Sequence, residues 1–299
     1  MVHIEKILCP IDFSDFSRDA LDHAVALARW YEARLIVMHV VPIPTVPLPM
    51  AGVPIDTPVF PIDTAEVTRH VQEWARESIG SSNIPMDVFV TSGSAAIEIA
   101  RHAELSRADL LVLGTHGRSG FQRLFLGSVT EKVLRSTNAP VMTIPPPVKK
   151  PESIQFRTIL CPVDFSDESL RALEYAFSLA KEADARIILL HVVEGLVNPS
   201  YASQFRNVSV LEYYEQMEEE ARRQLAAVVP EDGRTWARPV ERLTRGRAYR
   251  QILQTADEES VELIVMGVRG RGAVDRLVFG STTDHVIRRA RCPVLTLHA

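Results

Sequence analysis

Short continuous apolar runs alternate, along the first half of this chain, with stretches in which apolar residues recur every three or four positions. The run ending at Pro10-Ile11-Asp12 predicts a strand over about 5–11. Ser14 or Ser17 can cap the helix that follows, because Leu21, Ala24, Val25, Leu27 and Ala28 fall at helical spacing. Leu35 to Val41 predicts a second strand. Beyond a proline-crowded loop (42–61), the pattern predicts a helix over about 64–79, a strand over 86–91 and a helix from near Ser94. A strand over 109–114, a helix over about 128–136 and a closing strand over 140–144 complete the half. Parallel neighbours need helical crossovers, so the expected class is α/β with a doubly wound, five-stranded parallel sheet. Ligands on such sheets bind beyond the C-terminal strand ends, where strand order reverses.

The same pattern then returns. Residues 6–41 align without gaps to residues 158–193, with 20 of 36 positions identical at an offset of 152, and the offset becomes 153 at a later glycine-bearing segment. The chain is a duplication, and two tandem sheets are expected. Its joint falls in the proline-rich run IPPPVKKPESI, giving domains 1–146 and 156–299 around a semi-rigid linker, 147–155.

Composition narrows the function. The 299 residues are 46% hydrophobic and 24% charged, with net charge −5 and pI near 6.0. A protein built to grip nucleic acid carries a basic excess, so nucleic acid is excluded as the main partner. The N-terminal MVHIEKILCPIDFSD carries Glu5 and Lys6 in place of a leader's apolar core, and apolar runs such as Ile187 to Val193 fall far short of the roughly 20 residues that cross a bilayer. A cytoplasmic protein with no membrane partner is expected. Cys9, Cys161 and Cys292 each precede a proline with no metal-ligand spacing, and are expected to be buried, reduced thiols at strand ends.

The candidate chemistry sits in GTHGRSGFQRLFLGSVT (114–130) and GVRGRGAVDRLVFGSTT (267–283), which share Gly-x2-Gly-x9-Gly-Ser while their other residues diverge. Gly114 and Gly267, just past a strand, let a ligand approach main chain without meeting a Cβ, and Gly117 and Gly270 extend that bare surface. Gly127-Ser128 and Gly280-Ser281 precede a helix whose unpaired N–H groups make an anion site, with phosphate as its natural ligand. The alternative is that the glycines only make turns and a cap. Neither a Walker loop nor a GxGxxG fingerprint is present.

With these motifs in view, the chain resembles a tandem member of the universal stress protein family, in its ATP-binding branch. The resemblance rests on CPIDFS and CPVDFS, the HVV strand ends, both glycine segments, and the closing APVMTI and CPVLTL. It implies a Rossmann-like sheet of the adenine nucleotide alpha hydrolase-like kind, strand order 3-2-1-4-5, and one ATP per half, accompanied by Mg. Asp12 and Asp164, with Pro10 and Ile11 or Pro162 and Val163 before them, match the acid that contacts adenosine. Val40 and Val192 match the strand-two position whose backbone meets adenine. Gly114, Gly117, Gly127 and Ser128, and Gly267, Gly270, Gly280 and Ser281, match the ribose and phosphate loop. Val129 and Thr282 lie beside them, and Thr130 and Thr283 stand where a hydroxyl reaches phosphate. For the aspartates, capping of the next helix is the competing role. The resemblance also implies an in-chain pseudo-dimer through the closing strands, with a homodimer of whole chains and an unidentified protein partner left open.

The halves depart from each other at His116, where the second has Arg269: a titratable group against a permanent cation, or simply two solvated loop residues. His39 and His191, in an apolar strand, read as satisfied structural residues. LEYYEQMEEEARRQL (211–225) reads as a solvated amphipathic helix with Glu-to-Arg pairs, the alternative being a partner surface. Phosphoryl transfer needs a positioned base, metal and cationic clamps. The halves share no such set, and the SGGxDS and HIGH motifs of adenylating relatives are absent. A nucleotide-dependent regulator of stress response is expected, with a slow ATPase or other ATP-using enzyme as the alternative.

Overall fold

A computed structural model of the chain describes residues 2–43, 64–80, 83–117, 126–146, 153–194, 210–236, 239–270 and 280–298. Most of the proline-crowded loop, the middle of the linker and the middle of each glycine segment lie outside the described residues. The first half runs β1 (Lys6–Ile11), α1 (Asp15–Tyr31), β2 (Arg34–Val41), α2 (Thr64–Ile79), β3 (Met86–Ser92), α3 (Ala95–Ser106), β4 (Leu110–Gly114), α4 (Ser128–Ser136) and β5 (Val141–Ile144). The second runs β6 (Thr158–Pro162), α5 (Asp167–Ala183), β7 (Arg186–Val193), α6 (Val210–Val228), α7 (Glu231–Trp236), β8 (Val240–Arg245), α8 (Ala248–Glu258), β9 (Leu263–Gly267), α9 (Ser281–Arg289) and β10 (Val294–Leu297).

Local chemistry sets these boundaries. Ser14 caps α1 by accepting from the Ser17 N–H at 3.2 Å, and Ser166 caps α5 through Ser169 at 3.3 Å. Glu32 and Asp184 stop the two helices in the left-handed conformation, at φ 52° and 50°. The strands are apolar on both faces because helices cover both. One layer buries Ile7, Leu21, Val37, Ile159 and Leu189; the other buries Leu8, Met38, Leu111, Leu134 and Ile264.

The strand order corrects the expectation of two separate sheets. A single ten-stranded sheet runs β3-β2-β1-β4-β5-β10-β9-β6-β7-β8. Each half keeps its own parallel 3-2-1-4-5 order, and the two closing strands join antiparallel, Val294 opposite Thr143, Leu295 opposite Met142 and Thr296 opposite Val141. An apolar strand left at an edge would expose unpaired N–H and C=O groups, and each half's edge satisfies the other's. The seam is reciprocal in its side chains too: Thr143 Oγ1 donates to the Val294 carbonyl and Thr296 Oγ1 to the Val141 carbonyl, both at 3.2 Å and both fully buried. Beside it, Tyr31 Oη and the Val2 N–H both donate to the Glu182 carboxylate, at 2.9 and 2.8 Å, and His298 Nε2 donates to the Leu134 carbonyl at 2.9 Å.

All three cysteines are free and buried; Cys9 and Cys161 lie within β1 and β6, not at strand ends. Burial pushes the Cys9 and Cys161 thiols far up and the Cys292 thiol up to about 12, so none is a thiolate near neutrality. Among the described residues, no helix is long and apolar enough to cross a membrane.

Candidate functional site

Strand order reverses between β1 and its two neighbours, β2 and β4, and again between β6 and its neighbours β7 and β9. A cleft opens at each reversal. The first, about 290 Å³, is lined by all eleven first-half residues singled out in the sequence; the second, about 580 Å³, by all eleven of their second-half counterparts.

The aspartates leave their strands through a sharp elbow: Phe13 and Phe165, the next residues, take φ 64° and 63°, a left-handed conformation that a bulky side chain adopts only when its surroundings impose it. The elbow serves two ends. Asp12 Oδ1 accepts from the Ser14 N–H at 3.1 Å and the Ser14 hydroxyl at 2.5 Å, so the carboxylate does brace the start of α1. Its other oxygen faces the glycine loop, where a Cβ on Gly117 would stand 2.9 Å from Oδ2; on Gly270 it would collide outright with Asp164 Oδ2. Capping and a place in the cleft, the two roles weighed for the aspartate, thus fall to its two oxygens.

Gly114 is needed for a different contact: a Cβ there would meet the Phe16 carbonyl oxygen at 2.8 Å, and one on Gly267 would meet Glu168 Cβ at 2.8 Å. The loop returns when the Gly127 N–H donates to the Thr115 carbonyl at 2.8 Å, and Gly280 to Val268 at 3.1 Å. Gly127 and Gly280 are the N-caps of α4 and α9 and offer no side-chain cap, so the first N–H groups of each helix open toward the cleft beside exposed Ser128 and Ser281. Thr130 and Thr283 act otherwise than expected. Their buried hydroxyls donate to the Gly114 and Gly267 carbonyls at 2.9 and 3.0 Å, tying each helix back to its strand.

The walls contain residues that periodicity alone did not mark. Met38, Ala95, Ile99 and Leu113 give the first cleft an apolar slot, and Leu190, Ala248, Ile252 and Met266 do the same in the second. The signal was available: both sets hold matching positions of the duplication and cluster at the ends of the second and fourth strands and the start of the intervening helix. Glu194 and Met217 line the second cleft only.

His39 and His191 are each satisfied by main chain, Nδ1 bonding the Ile11 carbonyl at 2.9 Å in one half and the Val163 carbonyl at 2.7 Å in the other, but His191 also lines the second cleft, which the sequence reading did not anticipate. His116 and Arg269 both line their clefts and are not loose surface side chains. His116 Nδ1 lies 2.9 Å from Thr115 Oγ1, its Nε2 is buried without a partner among the described residues, and burial lowers its pKa. Arg269 faces Glu168 at 4.0 Å. Among the described residues, no three His, Cys, Asp or Glu side chains gather as a metal site. Each cleft therefore offers an apolar slot, one carboxylate, bare main chain and an open helix N-terminus.

A duplicated, doubly wound α/β protein with such a cleft at each topological switch defines a class, and comparison gives it a name. The universal stress protein family model matches residues 3–145 and again 155–298, so the chain belongs to the universal stress protein family, in tandem form. A universal stress protein of Methanocaldococcus jannaschii is 32% identical over 148 residues, 49% of this chain and 85% of its own length. A universal stress protein of Mycobacterium tuberculosis is 26% identical over 244 residues, 77% of this chain and 75% of its own. The crystal structure of a universal stress protein from Archaeoglobus fulgidus superposes with a TM-score of 0.65 at 24% identity, covering 98% of this chain and 96% of that one, which establishes a shared fold.

Proposed function

We propose that each half binds one ATP, so that nucleotide occupancy sets the conformation or partner choice of a cytoplasmic stress regulator. The observation that carries this reading is the cradle in which Gly117 and Gly270 bring bare main chain against the strand-end aspartate, where a Cβ would displace the carboxylate, beside a helix N-terminus with no side-chain cap. Such a cradle suits an anion brought close to the backbone, and the apolar slot beside it suits a flat base. Asp12 and Asp164 would take ribose hydroxyls, the main chain at Val40 and Val192 adenine, and the glycine loops with Ser128 and Ser281 the phosphates. Mg would arrive on the phosphates, since Mg binds largely through substrate oxygens and water.

A regulator fits better than an enzyme. Among the described residues, the aspartate is the one ionisable residue that both clefts keep unchanged, the other matching ionisable position being His116 in one and Arg269 in the other. Protein kinases turn over at roughly 1–100 per second, and hydrolysis here should be slower by orders of magnitude. A rate in that range, lost on changing Asp12 and Asp164, would establish the slow-ATPase alternative as an enzyme in earnest. Releasing and counting the nucleotide that copurifies, followed by equilibrium titration with ATP, tests the main reading. A stoichiometry approaching two per chain is expected, and no binding at millimolar ATP would remove the proposal.

A further inference from the structure

Three guanidinium groups gather round one phenol on the outer face of α8 and α9, beside but outside the second cleft. Arg250 Nε donates to Tyr249 Oη at 3.1 Å, and the Arg250 and Arg289 guanidinium carbons lie 5.8 and 5.6 Å from the Tyr249 ring centroid. His285 stacks on the same ring, centroids 4.5 Å apart and planes at 27°, and is anchored through Nδ1 to the Ser281 carbonyl at 2.7 Å. Hydrogen bonds from Arg250 and Arg247 hold the Tyr249 phenol below its usual range.

Arg247, Arg250 and Arg289 are exposed, and among the described residues none has a carboxylate within 4.0 Å. Their neighbours are different: Arg288 is paired with Asp284 at 2.8 Å and Arg291 with Asp257 at 3.5 Å. Like charges assembled with no counter-charge among the described residues repel, and an incoming anion relieves that repulsion. The fold does not demand the cluster. At the duplication offset of 153, the first half has Ser94, Ala96, Ile97, Lys132 and Ser136 where the second has Arg247, Tyr249, Arg250, His285 and Arg289. The two helix pairs are otherwise alike, and Ile97 stands 65% exposed in the place of Arg250.

We propose that this face of the second half is a phosphomonoester site, in which Arg250 and Arg289 clamp the phosphate and Arg247 and Tyr249 Oη complete its hydrogen bonds. Arginine is suited to the task because its planar fork meets two phosphate oxygens at once. The cluster is compact and centred on one ring, in a chain of net charge −5. An extended nucleic acid backbone calls for a longer basic track, whereas a single doubly charged group needs only such a cluster. The two sources of this chemistry are a phosphorylated side chain on a partner protein and a small phosphorylated metabolite.

The test is fluorescence anisotropy with a labelled peptide carrying one phosphoserine, read on the full chain. To silence the nucleotide clefts, the same titration is run on the Gly117→Val, Gly270→Val chain. Binding should persist there, be absent for the unphosphorylated peptide, and fall at least about tenfold in Arg250→Ala/Arg289→Ala, as expected for charge-assisted bonds. Arg250→Lys/Arg289→Lys, which keeps the charge but not the fork, should lose most of the same affinity. Free phosphoserine competing as well as the peptide assigns the metabolite source; a much tighter peptide assigns the protein source. Binding unchanged in the alanine variant, lost with the glycine substitutions, equal for the unphosphorylated peptide, or weaker than that of a single-stranded oligonucleotide would overturn the proposal.

Discussion

In the first cleft, position 116 is a histidine packed on Phe16 with ring centroids 5.3 Å apart; in the second, the matching position is Arg269, and the residue matching Phe16 is Glu168, 4.0 Å away. The duplication has exchanged an aromatic pair for an ion pair. Around both pairs the backbone repeats: the elbow at Phe13 and Phe165, the aspartate bracing a serine, the glycine hydrogen-bonded back across the loop, and the threonine tied to the strand end. Features that shape the cradle agree between the halves, and so does its aspartate, while the ionisable group at 116 and 269 does not. If both clefts take the proposed nucleotide, that division predicts differently tuned sites.

The largest expected effect falls on what joins the two halves, the seam. Val141→Asp or Val294→Asp places a charge at positions 0% and 1% exposed, and an uncompensated buried charge costs on the order of 3–5 kcal/mol. Thermal unfolding should shift down sharply. Halves cut near Lys150, which should copurify when unchanged, should separate. Retained copurification in the charged variants would mean that contacts such as Tyr31 to Glu182 hold the halves without the strands.

Next comes a change that removes one cleft at a time. Gly117→Val should reduce ATP stoichiometry from two to one, and adding Gly270→Val should reduce it to zero, because the new side chain meets Asp12 or Asp164. Overpacking of this kind costs about 1–3 kcal/mol, or roughly a tenfold to hundredfold loss of affinity. Isothermal titration of each single variant reads the two sites apart, and normal binding in either would return the glycines to a purely turn-making role.

A smaller effect should come from exchanging the pairs. Burial keeps His116 neutral near pH 7, so affinity at the first cleft should rise as pH falls and phosphate favours the imidazolium, whereas the second cleft, with Arg269, should be flat. The ratio of dissociation constants at pH 8 and pH 6, measured in the Gly270→Val background, should be up to about tenfold. Phe16→Glu/His116→Arg should abolish the slope. A slope that survives belongs to some other group.

The smallest effect is on stability. His23, on α1, is buried, and burial lowers its pKa although Nδ1 bonds the Asp19 carbonyl at 2.8 Å. The unfolded chain takes up its proton near pH 6.5 and the folded chain only below that, so the stabilisation is complete above about 6.5 and is lost as pH falls toward the lowered folded value. The matching residue in the second half is Tyr175, whose phenol is pushed up and does not titrate there. His23→Tyr should flatten the acid limb of a plot of melting temperature against pH.

Much of this was legible in sequence for a physical reason: strand and helix periods, a capping serine and a glycine spacing are local, and the duplication showed each twice. The helix predicted over 64–79 is α2 (Thr64–Ile79), and the pattern over 211–225 lies inside α6, where Glu218 pairs with Arg222 at 3.8 Å and Glu220 with Arg223 at 2.7 Å. What a side chain does with its last bond was not legible. Nothing in the spacing shows that Thr130 turns back to the Gly114 carbonyl, or that position 16 decides what position 116 meets. Nor does periodicity tell whether two closing strands stack or exchange hydrogen bonds, so the merger into one sheet appeared only in three dimensions.

The seam has an evolutionary consequence as well as an architectural one. Two separate copies that pair through a closing strand must carry every substitution twice, related by the two-fold axis, and a change that helps one site while harming the other cannot be selected alone. Tethering the copies in one chain removes that constraint and keeps the partner at high local concentration, so the pairing survives as the surfaces diverge. The tether, with the antiparallel junction of β5 and β10 holding the pair together, lets Arg269 and the arginine cluster stand in one half without a copy in the other: in effect a heterodimer encoded as one chain.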